Sequence, residues 1–401
     1  MKILQINKYL YPKGGSETYM FQLSNSLSEL GHEIKFWGMY DKDNTTHDFD
    51  NLLAENIDFN QQSIGQKFTS VYKTIYSSEN KKKISIVLDE FKPDIVHIHN
   101  YNFQLTPSIL PEIKKRGIKI VQTIHDSQMV CPYHRLYNFQ KDTVCTKCVE
   151  GSFINCTIDK CFDGSTIKSV IGTLESVFYH NLNFYNKYID LYISPSKFLK
   201  NLIEKRVHSD IEIIPNFTNV MVQNDVKSNK NNYYTYYGRL SEEKGIIDLI
   251  NLFKQLDLSL KIIGKGNLEA QIIEDIKGHN NIEFLGYKEG NELFQHIQNS
   301  KYIIQFSKWY ENCPMTIIES FALNVPVIAY NHSGFRDLIT DGVTGFLLDN
   351  NKNNMIDKLL EIDRIDVDSL KTNIKSYFDS NLSKEIHIKR ILTIYENLLK
   401  N

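Results

Sequence analysis

The sequence predicts an α/β protein of two similar domains built on largely parallel sheets. Three observations lead there. The chain is 401 residues long and 41% hydrophobic, enough for two or three ordinary domains with full cores. Helical and extended patterns alternate along most of its length. The alternation also starts afresh after a polar stretch at 223–232, read as a loop.

The first domain opens with strand Lys2–Ile6, a glycine-bearing loop and a helix from about Ser16 to Leu30. Tyr19, Leu23, Leu27 and Leu30 share one face of that helix, Ser16 is its expected N-cap, and Gly31 stops it. Strand Glu33–Trp37 follows, then Ile95–Ile98, Ile118–Ile124, Leu191–Ile193 and Ile211–Ile214. The second domain alternates strand Tyr233–Tyr237, helix Ile246–Leu256, strand Leu258–Ile263, helix Leu268–Lys277, strand Ile282–Leu285, helix Glu289–Asn299 and strand Tyr302–Phe306. A mostly apolar helix Met315–Leu323, a buried strand 325–329 and the short strand 345–348 complete it. Beyond Asp349 the pattern is helical, and amphipathic Leu382–Leu399 is expected to pack back on the first domain. The domains are thus placed at 1–196 and 197–378, with a terminal helix at 379–401. Open sheets bind ligands beyond the carboxyl ends of their strands, so the cleft between the domains is the expected site.

The formal net charge of −2 gives no reason to expect a nucleic-acid partner. The start of the chain runs straight into a strand, with no signal-peptide core, and no apolar run approaches the ~18 residues of a membrane span. The expected location is cytoplasmic. Lys81-Lys82-Lys83 and Lys114-Lys115-Arg116 are candidates for peripheral contact with the inner membrane, or simply solvated faces.

Glu311 and Glu319 flank the start of the Met315 helix, with Asn312, Cys313 and Pro314 between. The N–H groups of a first helical turn form an anion site. Two carboxylates beside it suit a nucleotide sugar, with phosphate in the middle and hydroxyls at the ends. Arg239 and Lys244 bracket a loop between Gly238 and Gly245 after strand Tyr233–Tyr237. A planar fork with a point charge is a natural diphosphate clamp. Gly14-Gly15, between the first strand and its helix, lets backbone approach a phosphate closely. His125 ends a strand where it can reach a sugar hydroxyl, and His97 and His99 share one strand face. Asp41–Asp43 and Asp366–Asp368 read as solvated turns, and no catalytic metal is expected. Cys131, Cys145, Cys148, Cys156 and Cys161 crowd one segment. Two readings stay open for Cys145, Cys148, Cys156 and Cys161: a structural zinc site, or reduced packing thiols.

In order, Gly14-Gly15-Ser16-Glu17, Asp94 to His99, Thr123 to Asp126, Ile193 to Ser196, Ile214-Pro215-Asn216, Gly238-Arg239 with Glu243-Lys244-Gly245, and Glu311 to Glu319 resemble the family 4 retaining glycosyltransferases. The segment Asp126–Ser169 resembles members that build bacterial capsules and surface polysaccharides. The resemblance implies the GT-B fold, two facing Rossmann-like domains with the active site in the cleft between them. It implies a metal-independent, hexosyltransferase-type enzyme with a UDP- or GDP-linked sugar as donor, a glycan or lipid-linked acceptor, and no required cofactor. Arg239 and Lys244 would neutralise the diphosphate and Gly15 would touch it. Glu319 would hold the ribose, and Glu311 the donor sugar, aided by the backbone of Asn312 to Met315. His125 would stand near the reacting carbon. Two departures are visible: Asn312-Cys313-Pro314 where Phe-Gly is usual after the first glutamate, and no Gly-Gly at 333–334. The alternative is a nucleotide-sugar 2-epimerase of the same architecture, whose acid/base motif set is not found.

Overall fold

The computed structural model describes residues 1–57, 71–220, 232–349 and 352–400. The loop expected at 223–232 falls almost wholly outside them. One compact unit comprises Met1–Lys141, Cys145–Ile214 and Ile388–Asn401; the other comprises Asp142–Val144 and Pro215–His387.

In the first unit, β1 (Lys2–Ile6), β2 (Glu33–Trp37), β3 (Ile95–Ile98), β4 (Lys119–Thr123), β5 (Leu191–Ser194) and β6 (Ile211–Ile213) form one parallel sheet in the order β2-β1-β3-β4-β5-β6. β3, β4 and β5 are short runs of buried residues, as strands covered on both faces must be. The change of unit falls at Pro215, later than the expected 196, because Ile211–Ile213 pairs with β5 as a sixth strand. The chain returns to the first unit at Ile388, within helix Lys384–Lys400, rather than at 379. Tyr395 of that helix is fully buried, and its hydroxyl bonds His97 Nδ1 at 2.6 Å.

In the second unit, β7 (Tyr233–Tyr237), β8 (Ser259–Ile263), β9 (Ile282–Phe284), β10 (Tyr302–Gln305), β11 (Val327–Tyr330) and β12 (Gly345–Leu348) run parallel in the order β9-β8-β7-β10-β11-β12. Counted within the unit this is 3-2-1-4-5-6, the Rossmann order, whose topological switch point lies between β7 and β10. Helix Ile246–Phe253 buries Ile246, Leu249, Ile250 and Phe253, and helix Met315–Ala322 buries Ile317, Ile318 and Phe321 in the same core.

The first helix begins at Gly15 with Gly14, not Ser16, as N-cap. Ser16 lies in the first turn, where its Oγ accepts a bond of 3.0 Å from Asn100 Nδ2. Glycine without a side-chain cap leaves the start of this helix to backbone groups alone.

Candidate functional site

The β7/β10 switch point gathers most of the second unit's candidates. Gly238 and Arg239 leave the end of β7, and Ser307 to Glu311 follow β10. Gly245 (φ 68°) closes the short 3-10 turn Glu242–Lys244. A Cβ there would run into the Phe306 carbonyl, so glycine seats the Lys244 turn directly on the chain leaving β10. Lys244 Nζ consequently reaches Glu311 Oε1 at 2.6 Å. The same oxygen accepts from Ser307 Oγ at 2.6 Å and from Trp309 Nε1 at 2.8 Å. Burial alone would raise the Glu311 carboxyl, but the Lys244 charge and these bonds outweigh it and hold it below its ordinary range. Glu311 is therefore an anion, an acceptor of hydrogen bonds rather than a proton donor.

Arg239 is more open: its side chain is 52% exposed and its Nη2 lies 3.3 Å from Glu243 Oε1. Trp309, which the motif reading did not single out, has both cations within 5.5 Å of its ring, Arg239 at that distance and Lys244 at 5.1 Å. A lone tryptophan between motifs carries no spacing signal; only the fold places it between the two cations.

Helix Met315–Ala322 has Pro314 as N-cap, with no side-chain cap over its first turn. Glu319, on its second turn, is partly buried with one edge on a cavity of about 430 Å³. Gly238, Arg239, Gly264, Lys265, Tyr287 and Leu293 also line this cavity. Lys265 Nζ sits 4.1 Å from the Tyr287 ring centroid. Tyr287 was not foreseen, since an isolated tyrosine after a strand has no signature. Burial pushes the Glu319 carboxyl up to about 7, with the Tyr237 hydroxyl at 3.3 Å opposing the shift.

The loop carrying Glu311 rests on residues 332–334. Ser333, in place of the usual first glycine, takes a left-handed conformation (φ 51°), and its Oγ accepts from the Glu311 N–H at 3.1 Å. Gly334 donates its N–H to the Glu311 carbonyl at 2.9 Å. A Cβ on Gly334 would collide with the Asn312 carbonyl oxygen, backbone that cannot swing away. Gly334→Ala is expected to destabilise the second unit by about 1–3 kcal/mol and to weaken nucleotide binding. Thermal melts with and without nucleotide will show whether both effects occur. Cys313 is buried, and its carbonyl lies 3.5 Å from Asn216 Nδ2.

In the first unit the candidates stand at the carboxyl ends of β1, β3 and β4. Asn7 Nδ2 donates to the buried Glu17 Oε1 at 3.1 Å, tying the chain after β1 to the first turn that follows Gly14-Gly15. His97, His99 and His125 form a column. The rings of His97 and His99 stack at 4.6 Å, and those of His99 and His125 at 5.2 Å. His99 Nδ1 meets His125 Nε2 at 2.9 Å, and His99 Nε2 meets Gln5 Oε1 at 2.9 Å. Burial pushes His125 down to about 4, with Asp126 opposing, so it is a neutral imidazole at physiological pH.

The basic clusters are not bare. Lys81, Lys115 and the partner Glu112 form one group, Lys83 pairs with Glu79, Lys114 with Asp190, and Arg116 with Asp89. Asp43 and Asp368 donate their N–H groups to Asp41 and Asp366 at 3.1 Å each, so both acidic strings cap their own turns. Among the described residues no helix is long and apolar enough to cross a membrane.

The comparisons with known proteins fall on this same frame. The family model for Glycosyltransferase Family 4 matches residues 13–149, and the model for Glycosyl transferases group 1 matches 219–375. Between them they take in both sheets' site-bearing loops. The chain belongs to the family 4 glycosyltransferases.

Within the family it is 28% identical over 188 residues to the capsular polysaccharide biosynthesis glycosyltransferase CapM of Staphylococcus aureus, covering 43% of this chain and 48% of that one. The chain spans about half the length of the curated relatives it matches. Among solved structures, sucrose-phosphate synthase of Thermosynechococcus elongatus aligns with a TM-score of 0.72 at 14% identity, over 100% of this chain and 99% of that one. Anabaena HepE in complex with UDP and glucose aligns with a TM-score of 0.64 at 16% identity, over 99% and 100%. These likenesses show the GT-B fold.

Proposed function

We propose that this family 4 member transfers a sugar from a nucleotide-sugar donor to a glycan or lipid-linked acceptor in surface-polysaccharide assembly. The observation that carries the reading is the set at the β7/β10 switch point. Arg239, Lys244, Glu311 and an uncapped helix start sit together beside a cavity walled by Glu319. Membership of the family and the likeness to a capsule-building relative support it. The HepE complex with UDP supports a uridine nucleotide as the first donor to try, with GDP-linked sugars second.

In this reading the diphosphate lies over the first turn of helix Met315–Ala322, met by Asn312 to Met315 backbone, with Arg239 and Lys244 taking up its charge. Protein cations and helix N–H groups can thus stabilise the departing nucleotide without a catalytic metal. Glu319 accepts the ribose hydroxyls, and anionic Glu311 accepts donor-sugar hydroxyls. Gly14-Gly15 gives a second backbone approach to phosphate, and neutral His125 bonds the sugar near its reacting carbon. The bond from the anomeric carbon to phosphate oxygen breaks while the acceptor oxygen adds on the same face. The acceptor's proton passes to the departing phosphate, and configuration is retained.

The test is a thermal-shift screen against UDP-, GDP-, ADP- and dTDP-sugars, followed by proton NMR of the product formed from the stabilising donor. A shift of several degrees with one nucleotide class, lost in Arg239→Ala, and a product with the donor's anomeric configuration are expected. No shift with any of the four would sink the reading, and an inverted product would sink the retaining step.

A further inference from the structure

The segment holding five of the six cysteines has little regular structure of its own, although it buries Met129, Val130, Leu136, Tyr137 and Val149. Its helices, Lys147–Glu150 and Ile154–Ile158, are one turn long. His134, Leu136, Lys160 and Asp163 all take positive φ, a conformation that side chains resist. Its core is Cys148, Phe153 and Cys156, with Tyr133, Cys161 and Phe162 packed against them, so sulfur makes up half of it. Thiols at the centre of so small a cluster are placed for a cross-link. No disulfide supplies it: all six cysteines are free.

What the thiols share is a cavity of about 10 Å³, the space of one water-sized sphere. Cys131, Cys145, Cys148, Cys156 and Cys161 line it, beside Tyr133, Tyr137 and Asn155. The Cys148 thiol donates to the Phe153 carbonyl at 4.0 Å. The turn carrying Cys148 is clamped from outside. Arg206 donates from Nε to the Val149 carbonyl at 2.9 Å and from Nη2 to the Cys148 carbonyl at 2.7 Å, and it stacks 4.0 Å from the Phe153 ring centroid.

We propose that this cavity is a structural zinc site, closed by four of its five thiolates. Four sulfurs around a one-atom space fit a tetrahedral zinc ion, which takes thiolate ligands and leaves no open position. Binding sends the ligand thiols' protons to solvent. Among the described residues no three such side chains already stand as a metal's ligand set. Closure therefore requires the sulfurs to turn about χ1 onto the ion in a cavity they already share. The cavity is lined by first-unit residues alone, so its occupancy by zinc does not depend on which donor the enzyme takes.

The experiment is elemental analysis of the full chain, purified under reducing conditions without added metal and dialysed against EDTA. About one zinc per chain is expected, released in step with a mercurial thiol reagent and lost in Cys156→Ser. The Cys313→Ser variant, whose cysteine lies outside the cluster, is expected to keep its zinc. Should Cys156→Ser fail to fold, the wild-type measurement still decides. Less than about 0.1 of any metal per folded chain overturns the proposal. So does iron with visible absorption, or a disulfide within the cluster found by mass spectrometry.

Discussion

Lys244→Ala is expected to lower the rate of sugar transfer by about 10²–10³-fold, the usual loss when one group stabilising a developing charge is removed. The reason is specific to its setting. Lys244 is the only cation bonded to the Glu311 carboxylate in the described structure, at 2.6 Å, and both side chains are largely buried. Removing the lysine leaves Glu311 as a buried anion without its ion-pair partner and, in the function proposed above, also takes away a charge that meets the donor diphosphate. Glu311→Ala should fail to a similar degree, from the opposite side of the same bond. Because each single change already breaks the pair, the double variant is expected to be little worse than either single one. Initial rates of nucleoside diphosphate release, for wild type, both singles and the double, complete the cycle. Losses that simply multiply in the double variant would mean that the two residues act independently, and the paired reading would fall.

The second large effect concerns Glu319 and pH. Burial lifts its carboxyl to about 7, so near neutrality it is divided between two protonation states. If ribose hydroxyls donate to it, the ionised form binds nucleotide better and binding releases a proton. Affinity for UDP should therefore rise with pH up to about 7 and flatten above. Well below that value it should weaken by about tenfold for each pH unit. Glu319→Gln should bind with little dependence on pH, weaker than wild type at pH 8 and comparable near pH 5.5. Linkage gives a control with the opposite sign. The folded state keeps this proton to a higher pH than the unfolded chain does, so wild type loses stability as pH climbs from the unfolded value through 7. Glu319→Gln should then be the more stable protein at pH 8, an advantage that shrinks toward pH 5. Calorimetric titration across pH 5.5–8.5 and melts at the two ends measure both. A pH-dependent affinity that survives in Glu319→Gln would place the titrating group elsewhere.

Alternation of strand and helix, glycine-bearing turns and short apolar runs made the two sheets legible, because buried parallel strands leave a signature in every few residues. The N-cap of the first helix was misread at Ser16, since a hydroxyl there looks like a cap whereas the structure uses Gly14. The expected boundary at 196 fell before the strand read at Ile211–Ile214, whose residues Ile211–Ile213 pair with β5 in the first sheet, because a three-residue edge strand is a weak marker of where a domain ends. At the site, Glu311, Glu319, Arg239 and Lys244 stood out through spacing around strand ends and a helix start. Their partners did not. Trp309, Ser307, Ser333 and Tyr287 act through three-dimensional neighbours contributed by other strands, and no local pattern encodes those meetings. The ion pair between Lys244 and Glu311 spans 67 positions, which no reading of either motif alone would join.

The histidine column has one more consequence. Its outer member, His125, is hydrogen-bonded to His99; His99 stacks on His97; and His97 is held by Thr123 on one nitrogen and Tyr395 on the other. His99 and His125 share one hydrogen bond, so the tautomer of either constrains the other, whereas His97 meets His99 only by stacking. The last helix thus does more than cover the sheet. Through a single phenol, that of Tyr395, it holds His97 in place at the inner end of the stack, so the ring beneath His99 and His125 is anchored by a residue 298 positions further along the chain.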